Sequence, residues 1–461
     1  MKEGAVMNRT EMRLQDAKSR QTNFEEVALG YSKEEATLEA NRCLNCKNPM
    51  CVKGCPVNIM IPKFIECIKN GDMIGAMKII DASSSIPAIC SRVCPQEKQC
   101  EKFCVRGLKG EVIAIGALER YVADWALVND FHDEVTINEN NKRVAIIGSG
   151  PSGLSCAYDL RMRGYGVTIY EALHKAGGVL TYGIPEFRLP KSIVQKEIKR
   201  IEELGVRILT NVVVGKSITI DELKEKYDAI YIATGAGLPK LMDIPNINAN
   251  GVYSANEILT RINLMSAFKE DSKTPIKVPR HVYVIGGGNV AFDAARVMKR
   301  LGSDVTIMYH RSESELPARK EEINHAIDED INFEFLRNPK EILVDDNYSV
   351  KGIKYVNMSL MDEVDTSNRR KVKENDSYGI VECDMIILAI GTDINNLAFK
   401  DSNIKVGNRG LIEVDGTHTS DKCIFAGGDN TTGAATVILA CGAGVNAAKE
   451  IDEYLGGKNE K

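Results

Sequence analysis

The sequence predicts an α/β protein in which an all-α, cysteine-rich domain precedes two Rossmann-like nucleotide-binding domains, the second inserted in the first. Nine of the thirteen cysteines fall between Cys43 and Cys104. A strand, a glycine turn, a helix and a second strand follow one another twice, over residues 143–171 and 281–309. This unit begins dinucleotide-binding folds, and two copies of it are much stronger evidence than one short glycine motif.

Composition narrows the class of protein before any motif is considered. The chain has 461 residues, 44% of them hydrophobic and 27% charged, which suits two or three globular domains. Its net charge of -5 favours neither nucleic acid nor an anionic membrane as a partner. No apolar run reaches the roughly 18 residues of a membrane-spanning helix. The amino-terminal residues lack the apolar segment of a secretion signal, so we expect a cytoplasmic protein.

The chain divides into four predicted segments. We expect the amino-terminal domain to be helical, with a packed helical stretch over 23–29 and turns at its prolines. Strands that end in glycine turns at Gly235 and Gly391 flank the second repeat, which predicts that one nucleotide-binding domain is inserted in the other. The predicted segments are 1–139 (helical), 140–255 (first nucleotide-binding domain), 256–374 (inserted domain) and 375–461 (the rest of the first nucleotide-binding domain).

The cysteines of the helical domain form two closely spaced groups. These groups read Cys43-x2-Cys46-x4-Cys51-x3-Cys55-Pro56 and Cys90-x3-Cys94-Pro95-x4-Cys100-x3-Cys104. Clustered cysteines in a chain without a secretion signal indicate metal or cluster ligands. Close spacing and Cys-Pro endings are typical of four-iron clusters. Structural zinc, which usually takes two well-separated pairs, is one alternative, and disulfides are the stronger one.

The first glycine turn predicts a site for FAD. Gly148, Gly150 and Gly153 allow backbone amides to approach a pyrophosphate at the amino terminus of a helix. Glu171 ends the second strand, where a carboxylate can accept hydrogen bonds from an adenosine ribose. A turn that is merely tight is the weaker interpretation, because the complete strand–helix unit surrounds it.

A glycine turn near the carboxyl terminus is expected to complete the FAD site. Gly428 and Asp429 precede a predicted helix of small residues over 434–449. The Asp429 carboxylate suits a hydrogen bond from a ribityl hydroxyl, and the helix amino terminus offers positive potential to the flavin ring. The alternative is that Asp429 only caps the helix.

The second glycine turn predicts NADP(H) rather than NAD(H). This turn contains Gly286, Gly288 and Asn289. Tyr309 stands where the first repeat has Glu171, so the carboxylate that would repel a 2′-phosphate is missing. Arg311 can bind that phosphate through charge-assisted hydrogen bonds, although an arginine after a strand is common. Arg319 is expected to add to the same basic pocket.

These three sites make one chemical combination. A nicotinamide transfers two electrons as a hydride, an iron–sulfur cluster accepts one electron, and a flavin can do both. Neither nucleotide-binding repeat contains a Cys-x-x-Cys pair, so the disulfide relay of thioredoxin reductases is not expected. We therefore expect the chemistry to occur at FAD, and no side chain is predicted to be catalytic.

The motifs, taken in order, resemble the small subunit of NADPH-dependent glutamate synthase and its relatives. The resemblance rests on GSGPSG, AGGVLTYGIPEFRLPK, GGGNVAFDAARV and LPARKEE, and it covers nearly the whole chain. The segments CKNPMCVKGCPVNI and PAICSRVCPQEKQCEKFC are most similar to the large subunit of NADH-dependent reduced ferredoxin:NADP⁺ oxidoreductase and to sulfide dehydrogenase. The resemblance implies that Gly178 and Arg188, in the second motif, contact a cofactor.

The resemblance also implies two 4Fe–4S clusters with interleaved ligands. The first cluster would be held by Cys43, Cys46, Cys51 and Cys104. The second would be held by Cys55, Cys94, Cys100 and Glu119, because relatives use a side-chain oxygen as the fourth ligand. Spacing alone favours Cys90 instead, and a glutamate on a helix is usually solvated.

The predicted function is that of an electron-transfer subunit with a second redox subunit as partner. The leading interpretation, from the resemblance, is bifurcating ferredoxin:NADP⁺ oxidoreductase chemistry with ferredoxin and a small flavoprotein carrying a two-iron cluster. The alternative is electron delivery to a glutamate synthase large subunit, whose barrel alone takes about 250 residues and is not expected here. A non-redox scaffold that binds zinc and nucleotides is the weakest interpretation, because two chemically different glycine turns would be idle.

Overall fold

The amino-terminal region is helical. The computed structural model describes residues 8–131 and 135–456, so residues 1–7 and 132–134 of the predicted helical domain, and residues 457–461, lie outside it. The helices are α1 (Lys33–Asn41), α2 (Met50–Lys53), α3 (Ile61–Lys69), α4 (Met73–Asp81), α5 (Pro87–Val93) and α6 (Ile115–Val128). Phe64 of α3 and Leu118 of α6 are fully buried in their common core. None of the helices in the described ranges is long and apolar enough to cross a membrane.

The expected helix over 23–29 is wrong. The segment is extended: Ala28 forms an antiparallel bridge with Leu14, and the Val27 amide donates to the carbonyl of Phe187. The Val27 side chain lies in the core of the second nucleotide-binding unit. Pairing with two distant segments satisfies the backbone groups that a helix would otherwise satisfy, and a short apolar run carries no signal of that choice.

The first repeat opens a parallel sheet with helices on its faces. Its elements are β1 (Arg143–Ile147), α7 (Pro151–Met162), β2 (Gly166–Tyr170), α8 (Val179–Tyr182), α9 (Lys191–Glu203), β3 (Arg207–Leu209), α10 (Ile220–Lys224), β4 (Ala229–Ile232) and β5 (Leu238–Pro239). The strand order is β15-β4-β1-β2-β3, with β15 (Ile424–Ala426) supplied by the carboxyl-terminal segment. Every neighbouring pair in this first sheet is parallel, which is typical of a Rossmann-like unit.

The second repeat lies inside a second parallel sheet. The elements are β6 (Val252–Ser254), α11 (Ala255–Leu259), β7 (His281–Ile285), α12 (Asn289–Arg300), β8 (Asp304–Tyr309), α13 (Lys320–Asp328), β9 (Asn332–Phe335), β10 (Arg337–Val344), β11 (Val350–Val364), β12 (Arg370–Glu382), β13 (Met385–Leu388) and β14 (Thr392–Asp393). The sheet order is β6-β13-β7-β8-β9. The two Rossmann-like units, one inserted in the other, confirm the predicted fold class.

The predicted segments assign β6 and β13 to the first nucleotide-binding domain, but both strands pair in the second sheet. β6 falls within 140–255 and β13 within 375–461, yet β13 pairs with both β6 and β7 in the second sheet. Both β4 and β13 are short, fully buried apolar strands followed by a glycine turn. The two strands therefore share one sequence pattern, and only the strand pairing in the fold shows to which sheet each belongs.

The carboxyl-terminal segment returns to the first sheet. It contains β15 (Ile424–Ala426), α14 (Asp429–Thr432) and α15 (Val437–Tyr454). The helix expected over 434–449 is α15, which begins at Val437 and continues to Tyr454. The single turn of α14 precedes it and ends at Gly433, whose φ is a positive 83°. Helix α15 packs on α7 so closely that a Cβ at Gly444 would lie 2.2 Å from the Ser152 carbonyl oxygen.

A three-stranded antiparallel sheet, β10-β11-β12, extends from the second unit. Its long hairpin of β11 and β12 turns at residues 365–369, where the Asp365 carboxylate accepts hydrogen bonds from the amides of Ser367 and Arg369. An aspartate that accepts amides two and four residues further on stabilises a tight turn. We call residues 365–369 the hairpin tip.

Candidate functional site

The four cysteines of the first predicted cluster line one pocket. This pocket is bounded by Cys43, Cys46, Cys51 and Cys104 together with mostly apolar side chains. Burial raises the pKa of Cys43, and it raises the pKa of Cys51 to about 11, with the neighbouring thiols adding to both shifts. Thiols that raise one another's pKa are close together, and a bound cation would stabilise their thiolate forms.

The second predicted group surrounds Glu119. This α6 residue is 7% exposed, and its Oε1 is buried with no hydrogen-bond partner among the described residues. Burial raises the Glu119 pKa to about 8. Burial also raises the pKa of Cys55 and Cys100, and the Glu119 carboxylate contributes to both shifts; it faces Cys94 as well. A buried carboxyl oxygen without a partner, close enough to three thiols to raise the pKa of each, fits a fourth metal ligand.

Cys90, which spacing favours, has other partners. Its thiol lies in the same buried cluster as those of Cys94 and of Cys441 in α15, and each of these thiols influences its pKa. It is buried in the core that joins α5 to the first nucleotide-binding unit. Within 8–131 and 135–456, no three His, Cys, Asp or Glu side chains come close enough together to hold a single metal ion.

The first glycine turn is built by backbone approach. A Cβ at Gly148 would lie 2.5 Å from the Ala233 carbonyl oxygen, and one at Gly153 would lie 2.0 Å from the Gly148 carbonyl oxygen. A Cβ at Gly150 would meet no protein atom within 4 Å. Two glycines thus close the turn, while the third leaves open space at the start of α7, which fits a pyrophosphate at a helix amino terminus.

Glu171 is buried beside this turn. Its carboxylate accepts hydrogen bonds from the amide and hydroxyl of Ser149 and from the amide of Leu173. The Ser149 hydroxyl in turn accepts from the Gly177 amide. Gly178, with a positive φ of 53°, sits where a Cβ would lie 2.8 Å from Gly150 Cα. The structure therefore brings together the predicted residues of the first turn, including Gly178.

The carboxyl-terminal glycine turn lies next to the first turn. A Cβ at Gly428 would lie 3.1 Å from Ser152 Cβ. Burial raises the Asp429 pKa to about 6, while the Ala435 amide that donates to this carboxylate acts in the opposite direction. Thr234 Oγ1 and Asn430 Oδ1, at the carboxyl ends of β4 and β15, are buried without hydrogen-bond partners in the described structure. Unpaired polar atoms at this edge fit a polar cofactor.

The second glycine turn has the same backbone design. A Cβ at Gly286 would lie 2.4 Å from the Ala389 carbonyl oxygen, whereas one at Gly288 would meet no protein atom within 4 Å. The Asn289 side chain accepts a hydrogen bond from the Arg319 amide. The open position again lies at the start of a helix, α12, which fits a second pyrophosphate.

Arg311 lies after β8 with its side chain 11% exposed. Nη2 donates to Asp365 Oδ2 at 2.7 Å, while Nε and Nη1 are buried with no partner among the described residues. Arg369, which the sequence argument missed, lies 3.6 Å from the same Asp365 oxygen. The fold of the hairpin brings Arg369 to this site, and no local sequence pattern signals it.

Two predicted side chains pair with other parts of the protein. Arg188 is ion-paired with Asp293 of α12 and Glu322 of α13, so its side chain contacts the second unit. The Arg319 guanidinium donates to the Arg92 carbonyl and to Gln96 Oε1 of the cysteine-rich region. Each side chain therefore joins two regions of the chain, a role that a motif by itself does not reveal.

Comparison with known proteins agrees with this architecture. Residues 142–444 match the family of pyridine nucleotide-disulphide oxidoreductases, and residues 20–131 match dihydropyrimidine dehydrogenase domain II, 4Fe-4S cluster. The NADPH glutamate synthase small chain of Escherichia coli is 32% identical over 95% of both chains. The NADP⁺-dependent formate dehydrogenase subunit beta of Moorella thermoacetica is 38% identical over 88% of this chain and 60% of that subunit.

Solved structures show the same fold. Mycobacterium tuberculosis FprA in complex with NADPH superposes with a TM-score of 0.59 at 20% identity, covering 68% of this chain and 84% of FprA. Lactococcus lactis thioredoxin reductase gives a TM-score of 0.50 at 26% identity, covering 68% of this chain and 99% of the reductase. Both comparisons cover about two thirds of the chain.

Two nucleotide-binding units attached to an iron–sulfur domain define a class of protein, the NADP-dependent flavin and iron–sulfur oxidoreductases. The chain belongs to the pyridine nucleotide-disulphide oxidoreductase family and, within it, to the group that includes the small chain of NADPH glutamate synthase. Its cofactors are FAD, NADP(H) and 4Fe–4S.

Proposed function

We propose that this chain is an electron-transfer subunit that exchanges hydride with NADP(H) and relays single electrons through two 4Fe–4S clusters to a partner. The unit built on the first sheet would hold FAD through Gly150, Glu171 and Asp429. The unit built on the second sheet would hold NADP(H) through Gly288 and Arg311. Bound FAD supplies the conversion between two-electron and one-electron chemistry. The cytoplasm, a reducing compartment, suits the free thiols.

The environment of Glu119 carries this proposal. A buried carboxyl with an unpartnered oxygen is costly unless a ligand completes it. Its charge raises the pKa of three thiols, those of Cys55, Cys94 and Cys100, and it is the side chain that the resemblance names as an oxygen ligand. Together with the pocket of Cys43, Cys46, Cys51 and Cys104, this supports two separate clusters rather than one.

Packing suggests the order of the electron route. The loop after Cys55 touches α15 of the first unit, where a Cβ at Gly442 would lie 3.2 Å from the Pro56 carbonyl oxygen. Cys90 and Cys441 join the same two regions. The second cluster would therefore lie next to the flavin-binding unit, and the first cluster, in the more exposed pocket, would lie next to a partner.

The surface around the first pocket supports an acidic redox partner. We call it the cluster face, formed by exposed Leu44, Met50, Phe103, Val105 and Leu108 with the cations Lys47, Lys53, Lys102, Arg106 and Lys109. No Asp or Glu occurs in 43–53 or 102–110, although the whole chain carries a net charge of -5. An apolar centre with a basic rim favours association with a negatively charged protein.

Two partner types remain candidates. Several relatives are named as subunits, among them the NADPH-Fe³⁺ oxidoreductase subunit beta of Geobacter sulfurreducens, so we propose a second redox subunit here. The basic cluster face favours ferredoxin, with a small flavoprotein partner, as the leading choice. The 95% mutual coverage with glutamate synthase small chains favours a synthase large subunit as the second candidate.

Anaerobic purification tests the proposal directly. We expect a brown-yellow protein with one FAD, about eight iron atoms for two four-iron clusters, and absorbance that NADPH bleaches. Zinc in place of iron, or a flavin that NADPH does not reduce, would contradict it. Co-purification would then separate the two partner candidates, because the leading one is a small flavoprotein and the other is a much larger synthase subunit.

Glu119→Gln tests the second cluster. The amide keeps the size of the side chain but removes its anionic oxygen, so we expect a shifted potential and an altered electron paramagnetic resonance signal for one cluster only. Glu66→Gln, a partly exposed change on α3, is the matched control. Two unchanged cluster signals in Glu119→Gln would refute the ligand role.

A double charge reversal tests the cluster face. Lys47→Glu with Lys102→Glu should lower the rate of ferredoxin reduction by about tenfold at low ionic strength, through lost electrostatic steering. NADPH-dependent menadione reduction, which reports on the flavin, should not change. Lys216→Glu with Lys422→Glu changes the charge equally on the first unit and should leave both rates unchanged. An equal loss in both double variants would contradict the proposed docking surface.

A further inference from the structure

Two arginines beside the second glycine turn have N–H groups without acceptors. Nε and Nη1 of Arg311 and Nε of Arg369 are buried, and none of the described residues accepts a hydrogen bond from them. A buried charged donor without an acceptor carries a large desolvation cost. Three such donors on two neighbouring guanidinium groups point to an anion that binds both.

One carboxylate already contacts both arginines. Asp365 Oδ2 lies 2.7 Å from Arg311 Nη2 and 3.6 Å from Arg369 Nη2. Its other oxygen, Oδ1, accepts the amides of Ser367 and Arg369 and so holds the turn of the hairpin tip. Asp365 Oδ2 therefore occupies the position in which an anion would bind both guanidinium groups.

Arg369 also reaches the residue that replaces Glu171 in this repeat. Its guanidinium lies close enough to the Tyr309 hydroxyl to oppose the burial that raises the pKa of this phenol, and the hydroxyl itself donates to the Glu315 carbonyl. Tyr309 ends β8, the strand that approaches the adenosine ribose in a Rossmann-like unit. Arg369 therefore lies near the position expected for the adenosine ribose, although it belongs to the hairpin tip and not to the second parallel sheet.

We propose that the hairpin tip forms the second wall of the 2′-phosphate subsite: Arg311 and Arg369 bind the phosphate together, and Asp365 competes with it for both guanidinium groups. The inference rests on the proposed NADP(H) site at the second turn. A phosphate offers three acceptor oxygens and up to two negative charges, so it can satisfy the three unpaired donors that one carboxylate oxygen leaves.

Competition by Asp365 sharpens the choice of nucleotide. NADH has no group that can replace the carboxylate, so the pairing with Arg311 persists when it binds. NADPH exchanges this pairing for stronger charge-assisted hydrogen bonds from two arginines. Discrimination then depends on Arg369 as well as on Arg311, and it weakens when either guanidinium is removed.

The test compares two adenosine nucleotides that differ only in the 2′-phosphate, 2′,5′-ADP and 5′-AMP, by calorimetry on the FAD-loaded protein. Arg369→Ala should raise the Kd of 2′,5′-ADP by about tenfold, equivalent to one charge-assisted hydrogen bond, and change that of 5′-AMP less than about twofold. Arg369→Lys should fall between Arg369→Ala and the unmodified protein. Asp365→Asn, which keeps Oδ1 for the turn, should tighten 2′,5′-ADP.

The matched control is Lys371→Ala, which removes another cation next to the hairpin tip but one that pairs with Glu363. It should leave both dissociation constants unchanged. Equal changes for the two nucleotides in Arg369→Ala, or weaker 2′,5′-ADP binding in Asp365→Asn, would overturn the inference. An unmodified protein with no preference for 2′,5′-ADP would instead contradict the proposed NADP(H) site itself.

Discussion

The two glycine turns share a backbone design but differ in the charge placed beside it. At the first turn, Glu171 is satisfied by hydrogen bonds from its own neighbourhood, including both donors of Ser149. At the second turn, two N–H groups of Arg311 have no acceptor in the part of the chain that the structure describes. One strand end thus presents a carboxylate fixed by its own turn, and the other presents cations that a ligand can complete. The backbone allows a dinucleotide to bind, and the side chain after the second strand selects which one.

The helices that follow the two turns also differ in the interactions that hold them in the fold. Helix α7 packs on α15 by backbone approach at Gly444. Helix α12 buries Asp293, Arg296 and Arg300. Asp293 pairs with Arg188, Arg296 pairs with Glu322 of α13, and Arg300 pairs with Glu329 just after α13. The first repeat is therefore held by close packing, and the second by buried charge, so changes of size and of charge should affect them differently.

Glu329→Gln should have the largest effect, because it removes the anion at the centre of the buried charges. Glu329 is fully buried and pairs with Arg20, Arg296 and Arg300. Removing one member of a buried ion pair costs about 3–5 kcal/mol, since the remaining charges stay uncompensated. Chemical denaturation followed by circular dichroism should show this loss, whereas Glu313→Gln, an exposed change in the same unit, should stay within about 0.5 kcal/mol.

The same substitution predicts a pH dependence. Burial alone would raise the Glu329 pKa, but hydrogen bonds from Arg300 and Arg296 hold it at about 2, below the ordinary 4.5. A lowered folded-state pKa contributes stability that is present above the unfolded-state pKa and is lost as the pH falls toward the folded-state value. The difference between the unmodified protein and Glu329→Gln should therefore shrink between pH 4.5 and pH 2. A constant difference would contradict this account.

Gly153→Ala should destabilise the first repeat because the space beside Gly153 is too small for a methyl group. The added Cβ would lie 2.0 Å from the Gly148 carbonyl oxygen, where only backbone can move. We expect a loss at the upper end of the roughly 1–3 kcal/mol typical of overpacking, together with loss of FAD. Ala291 already stands at the equivalent position of α12. The matched change there, Ala291→Gly, should cost only about 1 kcal/mol by helix propensity and should not affect FAD.

The sequence was informative where the signal is local. Glycine spacing and buried apolar strands predicted both repeats, because each turn is determined within about thirty residues. Sheet membership of β13 was not predictable, since its sequence matches the pattern of β4. Arg369 was not predictable either, because it follows Arg311 by 58 residues and only the hairpin of β11 and β12 brings it to the same carboxylate. Cysteine spacing favoured Cys90, whose actual partner Cys441 lies in a remote helix.

Arg311→Ala should change nucleotide preference more than stability. Losing charge-assisted hydrogen bonds to a 2′-phosphate should cost about 1–3 kcal/mol in NADPH binding and far less in NADH binding. Anaerobic stopped-flow reduction of the flavin, at varied concentrations of each nucleotide, measures both. Arg207→Ala, on β3 of the first sheet, is the control for removal of an arginine. An equal loss for both nucleotides would show that Arg311 serves the fold and not the phosphate.

Glu171→Gln should have the smallest effect, and this effect should concern the binding of FAD rather than that of NADPH. The carboxylate accepts three hydrogen bonds from Ser149 and Leu173, and an amide has only one oxygen to offer them. A donor is left unpaired, which should cost about 1 kcal/mol and speed the dissociation of FAD. The rate of flavin release on dilution measures this change. Because Tyr309 occupies the corresponding place in the second repeat, NADPH affinity should not change, and a change in it would show that the two turns do not act independently.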